Sequence, residues 1–191
     1  MNKQKLVIIG GGGMVGATAA YACALRSVVE EIVLIDRNAD LVWGQAADIN
    51  DAMGLDRNVV VRMGNYSDIN DDDIVVITAG SPQLPGQTRL ELVGVNASIM
   101  RDIVKNIMAG GAKPYLVVVS NPVDVLTYVA LKESGLPKTR VFGTGTTLDT
   151  SRLKSYLADA LNVDSKAVDA YILGEHGDSS FSTIETAQVG E

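Results

Sequence analysis

Several residue types are scarce in this sequence of 191 residues, which holds one cysteine, one histidine, one tryptophan and two phenylalanines. A lone cysteine cannot form an intramolecular disulfide or supply several ligands to a metal. No apolar run approaches the roughly 18 residues of a membrane-spanning helix. The first residues lead directly into a short apolar segment, unlike a signal peptide. We therefore expect a cytoplasmic protein without disulfides, metal centre or membrane segment.

Positive charge is also in short supply, with 16 lysines and arginines against 23 aspartates and glutamates and a net charge of -7. No basic stripe of the kind that binds a phosphate backbone is present, so we do not expect a nucleic-acid partner. An anionic small molecule could still bind through a few locally placed arginines. Hydrophobic residues make up 47% and charged residues 20%, which is typical of a globular protein with an ample core.

Six short apolar runs rich in β-branched residues alternate with segments of helical pattern. Their apolar character is continuous, as in parallel strands covered on both faces. This order predicts an α/β fold with an open, doubly wound parallel sheet. The predicted strands are 6–9, 31–35, 59–63, 74–78, 115–119 and 140–142, and the predicted helices are 14–25, 38–53, 93–108 and 122–132, with Pro122 as a first helical residue.

A glycine-rich segment, Gly11-x-Gly13-x-x-Gly16, lies between the first predicted strand and the first helix. Such glycines permit a tight turn and a close approach to a pyrophosphate, which then rests on the helix N-terminus. Asp36, twenty residues beyond Gly16, is placed to accept from ribose hydroxyls, which favours NAD over NADP. Arg37 could instead meet a 2′-phosphate, and a glycine turn without a ligand is the alternative. The predicted cofactor contacts here are Gly11, Gly13, Met14, Val15, Gly16 and Asp36.

The pattern changes after residue 143. A helix is predicted from about residue 148 to 161, and a β-rich run follows over 167–173. We interpret residues 1–143 as an NAD-binding domain of the Rossmann type. Residues 144–191 are then the start of an incomplete second, α+β catalytic domain.

Reduction of a 2-oxo acid needs a proton donor, a cation for the carboxylate and polarisation of the carbonyl. His176 suits the first task, because histidine alone normally titrates near neutral pH. Asp149 could accept from its ring and fix the tautomer. Asp149 and Arg152 are three residues apart, so on a helix they share a face, and Arg152 could bind a carboxylate with two hydrogen bonds. The alternatives are a structural histidine and an exposed Asp–Arg pair.

Residues 81–89 contain two prolines and a glycine and follow a predicted buried strand. This composition predicts a long surface loop, and such loops are often lids over active sites. Its closure would carry Arg89 over the substrate carbonyl and exclude water. A solvated loop without function is the alternative.

Four motifs in this order resemble those of the lactate/malate dehydrogenase family. They are the loop over 81–89, the Ser-Asn-Pro-Val-Asp turn at 120–124, the Gly-Thr-x-Leu-Asp-x-x-Arg helix at 145–152 and the Gly-Glu-His-Gly-Asp segment at 174–178. The resemblance runs from the glycine loop to the last residues. It implies NAD as the cofactor, a 2-oxo or 2-hydroxy acid as the substrate, and no metal.

The resemblance also assigns roles to individual residues. It implies that His176 accepts and donates the proton, that Asp149 is its partner and that Arg152 holds the substrate carboxylate. Arg89 would polarise the carbonyl, and Asn121 would lie beside the substrate and the nicotinamide. Further positions that match the cofactor site are Tyr66, Gly80, Ser81, Asn96, Val119 and Thr144.

Substrate choice in the family depends largely on the position that Gln83 occupies here. Malate dehydrogenases carry arginine there to pair with the second carboxylate of oxaloacetate, and a neutral glutamine leaves that charge uncompensated. Gln83 therefore favours lactate and pyruvate, with malate as the alternative. Leu84 replaces the usual lysine, which could admit larger apolar acids. Lys154 and Asp169 replace the arginine and histidine of sugar-bisphosphate-activated relatives, so that regulation is not expected.

The helix over 38–53, with Trp43, Gly44 and Ala47, resembles the one that packs against a neighbouring subunit in this family. We therefore expect a homodimer or homotetramer, and packing within one subunit is the alternative. Family members continue well past Glu191. The chain is thus either an L-lactate dehydrogenase that needs further residues for full activity, or an NAD-binding module without turnover. An NAD-dependent glycosidase is a third alternative, but its metal would need a cysteine, and Cys23 lies in the first predicted helix.

Overall fold

The computed structural model describes residues 5–54, 59–82, 86 and 88–190, and only the backbone of Arg89. Among these residues six strands form one sheet in the order β3-β2-β1-β4-β5-β6, and every pair of neighbours is parallel. The strand order reverses between β1 and β4, so the predicted doubly wound parallel sheet is confirmed. The strands are β1 (Leu6–Ile9), β2 (Glu31–Ile35), β3 (Val60–Met63), β4 (Ile74–Ile77), β5 (Tyr115–Val118) and β6 (Val141–Gly143).

The continuous apolar character of the central strands is explained by cover on both faces of the sheet. Side chains alternate between faces along a strand. Val7 and Ile9 of β1 accordingly join one buried cluster, while Leu6 and Ile8 join the other. All four β1 residues are buried, so a hydrophobic side chain is favoured at each of them.

Four helices cover this sheet, two on each face: α1 (Met14–Leu25), α2 (Ala39–Met53), α3 (Arg89–Met108) and α4 (Val123–Ser134). Buried residues of α1 and α2 belong to one cluster, and those of α3 and α4 belong to the other. Asn38 ends the turn before α2, and its side chain accepts from Leu41 N at 3.2 Å. This satisfies one of the free N–H groups at the helix start.

Several predicted boundaries were wrong by one or more residues. The largest difference is at α3, which begins at Arg89 and not at Val93. The cause is a capping box, in which Thr88 Oγ1 accepts from Glu91 N and the Glu91 carboxylate accepts from Thr88 N. Pro122 is not the first helical residue either, because its extended ψ of 115° makes it the N-cap of α4. Strand β3 starts at Val60, β4 and β5 end one residue earlier than predicted, and β6 covers 141–143.

The region after β6 has a different architecture. Helix α5 (Thr147–Leu161) is followed by β7 (Val168–Asp169), β8 (Ile172–Leu173), β9 (Phe181–Ser182) and β10 (Gln188–Val189). These strands form two small antiparallel pairs, β7 with β10 and β8 with β9. The predicted β-rich run is thus two short strands in different sheets, and the expected α+β character is confirmed. No helix within the described part of the chain is both long enough and apolar enough to cross a membrane.

Candidate active site

The glycine loop joins β1 to α1 at the carboxyl end of the sheet. Gly10 N and Gly11 N both donate to Ile35 O, at 2.8 and 3.1 Å. A Cβ atom at Gly16 would lie 2.3 Å from Gly10 O, and one at Gly11 would lie 2.8 Å from Leu34 Cβ. Side chains are therefore excluded at these two glycines by the backbone and by β2.

The N-terminus of α1 is open toward a ligand. Gly13 caps it without a side-chain hydrogen bond, and the first turn holds Met14 and Val15 but no acidic residue. Both side chains are exposed. A helix start with free N–H groups and no acidic residue in its first turn suits an anion such as a pyrophosphate. The loop thus fits a dinucleotide.

Asp36 and Tyr66 lie at the same edge as this loop. Asp36 follows β2, and its carboxylate accepts from Gly12 N at 3.2 Å and from Asn38 N at 3.3 Å. Burial and the nearby charge of Asp36 raise the pKa of the Tyr66 hydroxyl, which therefore stays protonated. The structure therefore brings Asp36 and Tyr66, both predicted to contact the cofactor, to the edge where the glycine loop lies.

A cleft of about 640 Å³ opens beside the loop, where β4, β5 and β6 end. Its lining includes eight of the residues predicted to contact cofactor or substrate: Val15, Gly80, Ser81, Asn96, Val119, Asn121, Thr144 and His176. Ligands of doubly wound sheets bind in such crevices beyond the carboxyl ends of the strands. Pro82, Leu92 and Leu148 add apolar surface to the lining.

His176 and Asp149 form a close pair at this cleft. The His176 Nδ1 atom lies 2.6 Å from Asp149 Oδ2, and each side chain is about one quarter exposed. Asp149 belongs to the first turn of α5, while His176 follows β8. The carboxylate occupies one ring nitrogen and leaves the other available at the cleft.

Hydroxyl groups of α5 hold β8, and with it the segment that carries His176. Thr150 Oγ1 accepts from Ile172 N at 3.0 Å, and Thr146 Oγ1 donates to Ile172 O at 2.7 Å. Asp149 lies between these two threonines on the same helix. The two partners of the His–Asp pair are therefore positioned by the same contact between α5 and β8.

Asp124 holds the same segment from the other side, and sequence reasoning did not assign it a role. Its Oδ2 accepts from His176 N at 2.9 Å, across 52 residues of sequence. Asp124 lies in the first turn of α4, just after the Asn121-Pro122 turn. The sequence feature that could have indicated this role is an acidic residue at the start of a predicted helix, next to the predicted site residue Asn121.

Arg152 lies next to the pair but is more exposed. Its Nη1 is 3.4 Å from Asp149 Oδ1, and 59% of its side chain is accessible. Asp149 and Arg152 thus share a face of α5, as their spacing predicts. Gln83 and Leu84 lie outside the described residues, as does the side chain of Arg89, whose backbone begins α3.

A second, smaller cavity of about 350 Å³ lies beside α5. Lys154 lines it together with Lys166 and several hydroxyl groups of α5. Lys154 Nζ lies 4.0 Å from Asp169 Oδ1 and over the ring of Tyr171. The two residues that replace an effector-binding pair in some relatives therefore face each other.

Metal ligands do not cluster within the described ranges, where no three His, Cys, Asp or Glu side chains are grouped for a metal ion. Cys23 lies in α1, and its partial burial raises the pKa of the thiol.

Comparisons with known proteins identify the family that this chain resembles. Residues 4–143 match the family model for the lactate/malate dehydrogenase NAD binding domain, and residues 146–191 match the model for the alpha/beta C-terminal domain. L-lactate dehydrogenase of Borrelia turicatae is 46% identical over 99% of this chain, and that of Lactococcus lactis subsp. cremoris is 48% identical over all of it. The chain spans about 60% of the length of these relatives.

Solved structures of lactate dehydrogenases also match this chain. A minor L-lactate dehydrogenase from Enterococcus mundtii in its ligands-bound form matches with a TM-score of 0.95 and 49% identity. A lactate dehydrogenase from a Medee basin deep-sea metagenome library matches with a TM-score of 0.94 and 46% identity. Both matches cover 100% of this chain and 60% of the other.

Proposed function

This chain belongs to the lactate/malate dehydrogenase family, and from that membership we propose that the complete protein interconverts L-lactate and pyruvate with NAD. The observation that carries the proposal is the His176–Asp149 pair, 2.6 Å apart at the edge of the cleft. A histidine fixed by a carboxylate is suited to exchange a proton with the substrate oxygen. The relatives named above are called L-lactate dehydrogenases, which supports this substrate over malate.

The glycine loop and α1 would hold the pyrophosphate of the cofactor, and Asp36 would accept from the adenosine ribose. A 2′-phosphate would meet the negative charge of Asp36, so NAD is favoured over NADP. When bound, the cofactor supplies or takes the hydride at its nicotinamide ring. Gly80, Ser81, Val119 and Asn121 would surround that ring, since they line the cleft next to His176.

His176 would give its proton to the substrate oxygen as negative charge develops there during reduction. Because Nδ1 faces Asp149, the Nε2 atom would be the donor, and Asp149 would stabilise the positive ring. Proton transfer by a positioned side chain contributes roughly a hundred- to ten-thousandfold to rate. In the direction of oxidation the same nitrogen would accept the proton.

Two arginines would contact the carboxylate and the carbonyl of the substrate. Arg152 would bind the carboxylate, and its exposed position beside Asp149 leaves its guanidinium accessible. Arg89, at the start of α3, would polarise the carbonyl. Gln83 would exclude the second carboxylate of oxaloacetate, because it brings no positive charge to pair with it.

The test is NADH oxidation by the complete protein, with pyruvate, oxaloacetate and a branched 2-oxo acid offered separately. We expect pyruvate to be preferred over oxaloacetate. The Gln83→Arg variant should reverse that order, and an unchanged order would mean that residue 83 does not contact the substrate. Faster turnover of the branched acid would assign the protein to a larger 2-hydroxy acid instead.

A second proposal concerns the 191 residues as they stand: they act as an NAD-binding module without turnover. It is favoured by the exposed large apolar side chains after residue 143, such as Phe181, Ile184 and Val189. Loosely held catalytic groups lose rate steeply with small displacements. NADH binding without pyruvate reduction by this chain would support it.

The boundary between the NAD-binding and catalytic domains is proposed to lie between residues 143 and 144.

We also propose that the complete protein is a cytoplasmic homodimer or homotetramer. Trp43 and Leu41 of α2 are 68% and 52% exposed, and a Cβ atom at Gly44 would meet nothing within 4 Å. A surface that presents apolar side chains around a glycine permits close approach of a second helix. Light scattering of the wild type and of Trp43→Glu would test it, since a variant with the same mass would contradict this interface.

A further inference from the structure

The buried carboxamide of Asn96 joins two of the turns that line the cleft. Asn96 lies on the buried face of α3 and is 3% exposed. Its Oδ1 accepts from Ser81 N at 2.7 Å, and its Nδ2 donates to Ser81 O at 3.3 Å and to Asn121 O at 3.0 Å. Both amide protons are therefore used by the main chain, and neither is free for a ligand.

These two turns continue adjacent parallel strands. Ser81 follows β4, and Asn121 follows β5. Beyond the last paired residues the sheet offers no partners, so main-chain polar groups there need other ones. Ser120 supplies one link, as its Oγ donates to Ala79 O at 2.7 Å. Asn96 supplies the link nearer to the loop that begins after Ser81.

We infer that Asn96 is a positioning residue for the nicotinamide half of the cofactor, an assignment that rests on the proposed function. Asn96 holds the main chain of Ser81 and Asn121 at a fixed separation, and Asn121 is proposed to lie beside the nicotinamide and the substrate. The adenosine half depends on the glycine loop and Asp36. Within the described residues, Asn96 makes none of its three hydrogen bonds to these groups.

The Asn96→Asp variant removes the link with little change in side-chain size. It retains an acceptor for Ser81 N but turns an oxygen toward the two carbonyl groups, which then repel it. We expect the affinity for NADH to fall about tenfold, which corresponds to about 1.4 kcal/mol and lies within the cost of a lost buried hydrogen bond. Asn96→Ser is the second variant, because its short side chain cannot reach both turns and brings no charge.

Asn50 provides a matched control, since it makes the same pattern of bonds away from the cleft. Its Oδ1 accepts from Val61 N at 3.0 Å, and its Nδ2 donates to Val61 O and to Ala46 O. It joins α2 to β3 and does not line the cleft. Asn50→Asp should therefore lower stability in a similar way without changing cofactor affinity.

The experiment titrates the complete protein with NADH and with ADP-ribose, which has the adenosine and pyrophosphate groups but no nicotinamide. In both Asn96 variants we expect weaker NADH binding and ADP-ribose affinity within about twofold of wild type. In Asn50→Asp both affinities should stay within about twofold. Calorimetry measures the affinities, and thermal unfolding checks that each variant is folded.

Two results would overturn the inference, and they are distinguishable. Equal losses for NADH and ADP-ribose in the Asn96 variants, or an equal NADH loss in Asn50→Asp, would make the effect one of general stability. If the complete wild-type protein bound neither ligand, the proposed function would fail at its cofactor, and the role of Asn96 would fail with it.

Discussion

The two regions of this chain differ in how their functional residues are held. In residues 5–143 the sheet is covered on both faces by two large apolar clusters. The glycine loop and Asp36 directly follow strands β1 and β2 of this packed sheet. In residues 144–190 the buried apolar cluster has three members, Ala158, Val168 and Ala170. The main chain of Ile172 there is hydrogen-bonded to Thr146 and Thr150, and His176 N donates to Asp124 of the first region. The proposed cofactor site is thus held by a packed core, and the proposed catalytic pair is held by polar contacts.

The sharpest test of this division is His176→Asn, which should separate chemistry from binding. We expect turnover by the complete protein to fall roughly a thousandfold, because asparagine cannot donate the proton. NADH affinity should stay within about twofold, since the glycine loop is untouched. Stopped-flow kinetics and NADH titration measure the two quantities. Joint loss of both would mark His176 as structural and remove the distinction between the regions.

The next largest effect is expected at the buried ion pair of Lys5 and Asp73, which directly precede β1 and β4. Lys5 Nζ lies 2.9 Å from Asp73 Oδ2, and the two side chains are 6% and 3% exposed. Lys5→Met leaves the Asp73 charge buried without its partner, which should cost about 3 kcal/mol of unfolding free energy. Urea denaturation measures it, and the added Asp73→Asn change should restore part of the loss. A loss below about 1 kcal/mol would contradict the expected desolvation cost.

Asp124→Ala tests the contact between the regions. The His176 N–H would lose its acceptor, so turnover should fall about tenfold, as expected for the loss of a hydrogen bond to a charged group. NADH affinity should be unchanged. Because the chain has one histidine, its imidazole NMR signals are unambiguous and should shift in the variant. Asp102→Ala, at an exposed position of α3, is the control, and unshifted signals in Asp124→Ala would contradict the positioning role.

The smallest effect is expected at the exposed ion pair of the second region. Lys154 and Asp169 are 4.0 Å apart, with side chains 28% and 63% exposed. Solvent screens such a pair, so Lys154→Met should change the unfolding free energy by less than about 0.5 kcal/mol. If Lys154→Met lost as much unfolding free energy as Lys5→Met under the same conditions, the two regions would not differ in the way that burial predicts.

Sequence patterns predicted most of what depends on near neighbours. The continuous apolar run of β1 predicted a strand covered on both faces, and the glycine spacing predicted the tight turn in which a Cβ atom at Gly16 would lie 2.3 Å from Gly10 O. The capping box of Thr88 and Glu91 is also present in the sequence, and it marks a start of α3 at Arg89, earlier than the apolar pattern alone predicts.

Other features could not be predicted because their partners are far apart in sequence. Nothing near Asp124 shows that its carboxylate meets the His176 N–H 52 residues later. Asn96 was predicted to line the cofactor site, yet its bonds to Ser81 and Asn121 depend on how α3 packs beside β4 and β5.

The sequence alone determined the fold class and the glycine turn, because strand burial and glycine turns are encoded within a few residues. It also predicted the catalytic roles of His176, Asp149 and Arg152, through their spacing and the resemblance to a family. The tertiary structure decided which side chains bind the main-chain groups around those residues. Asn96 and Asp124 act at the ends of strands and helices, where backbone polar groups have no partner within their own element. Which side chain satisfies them depends on the packing of distant elements.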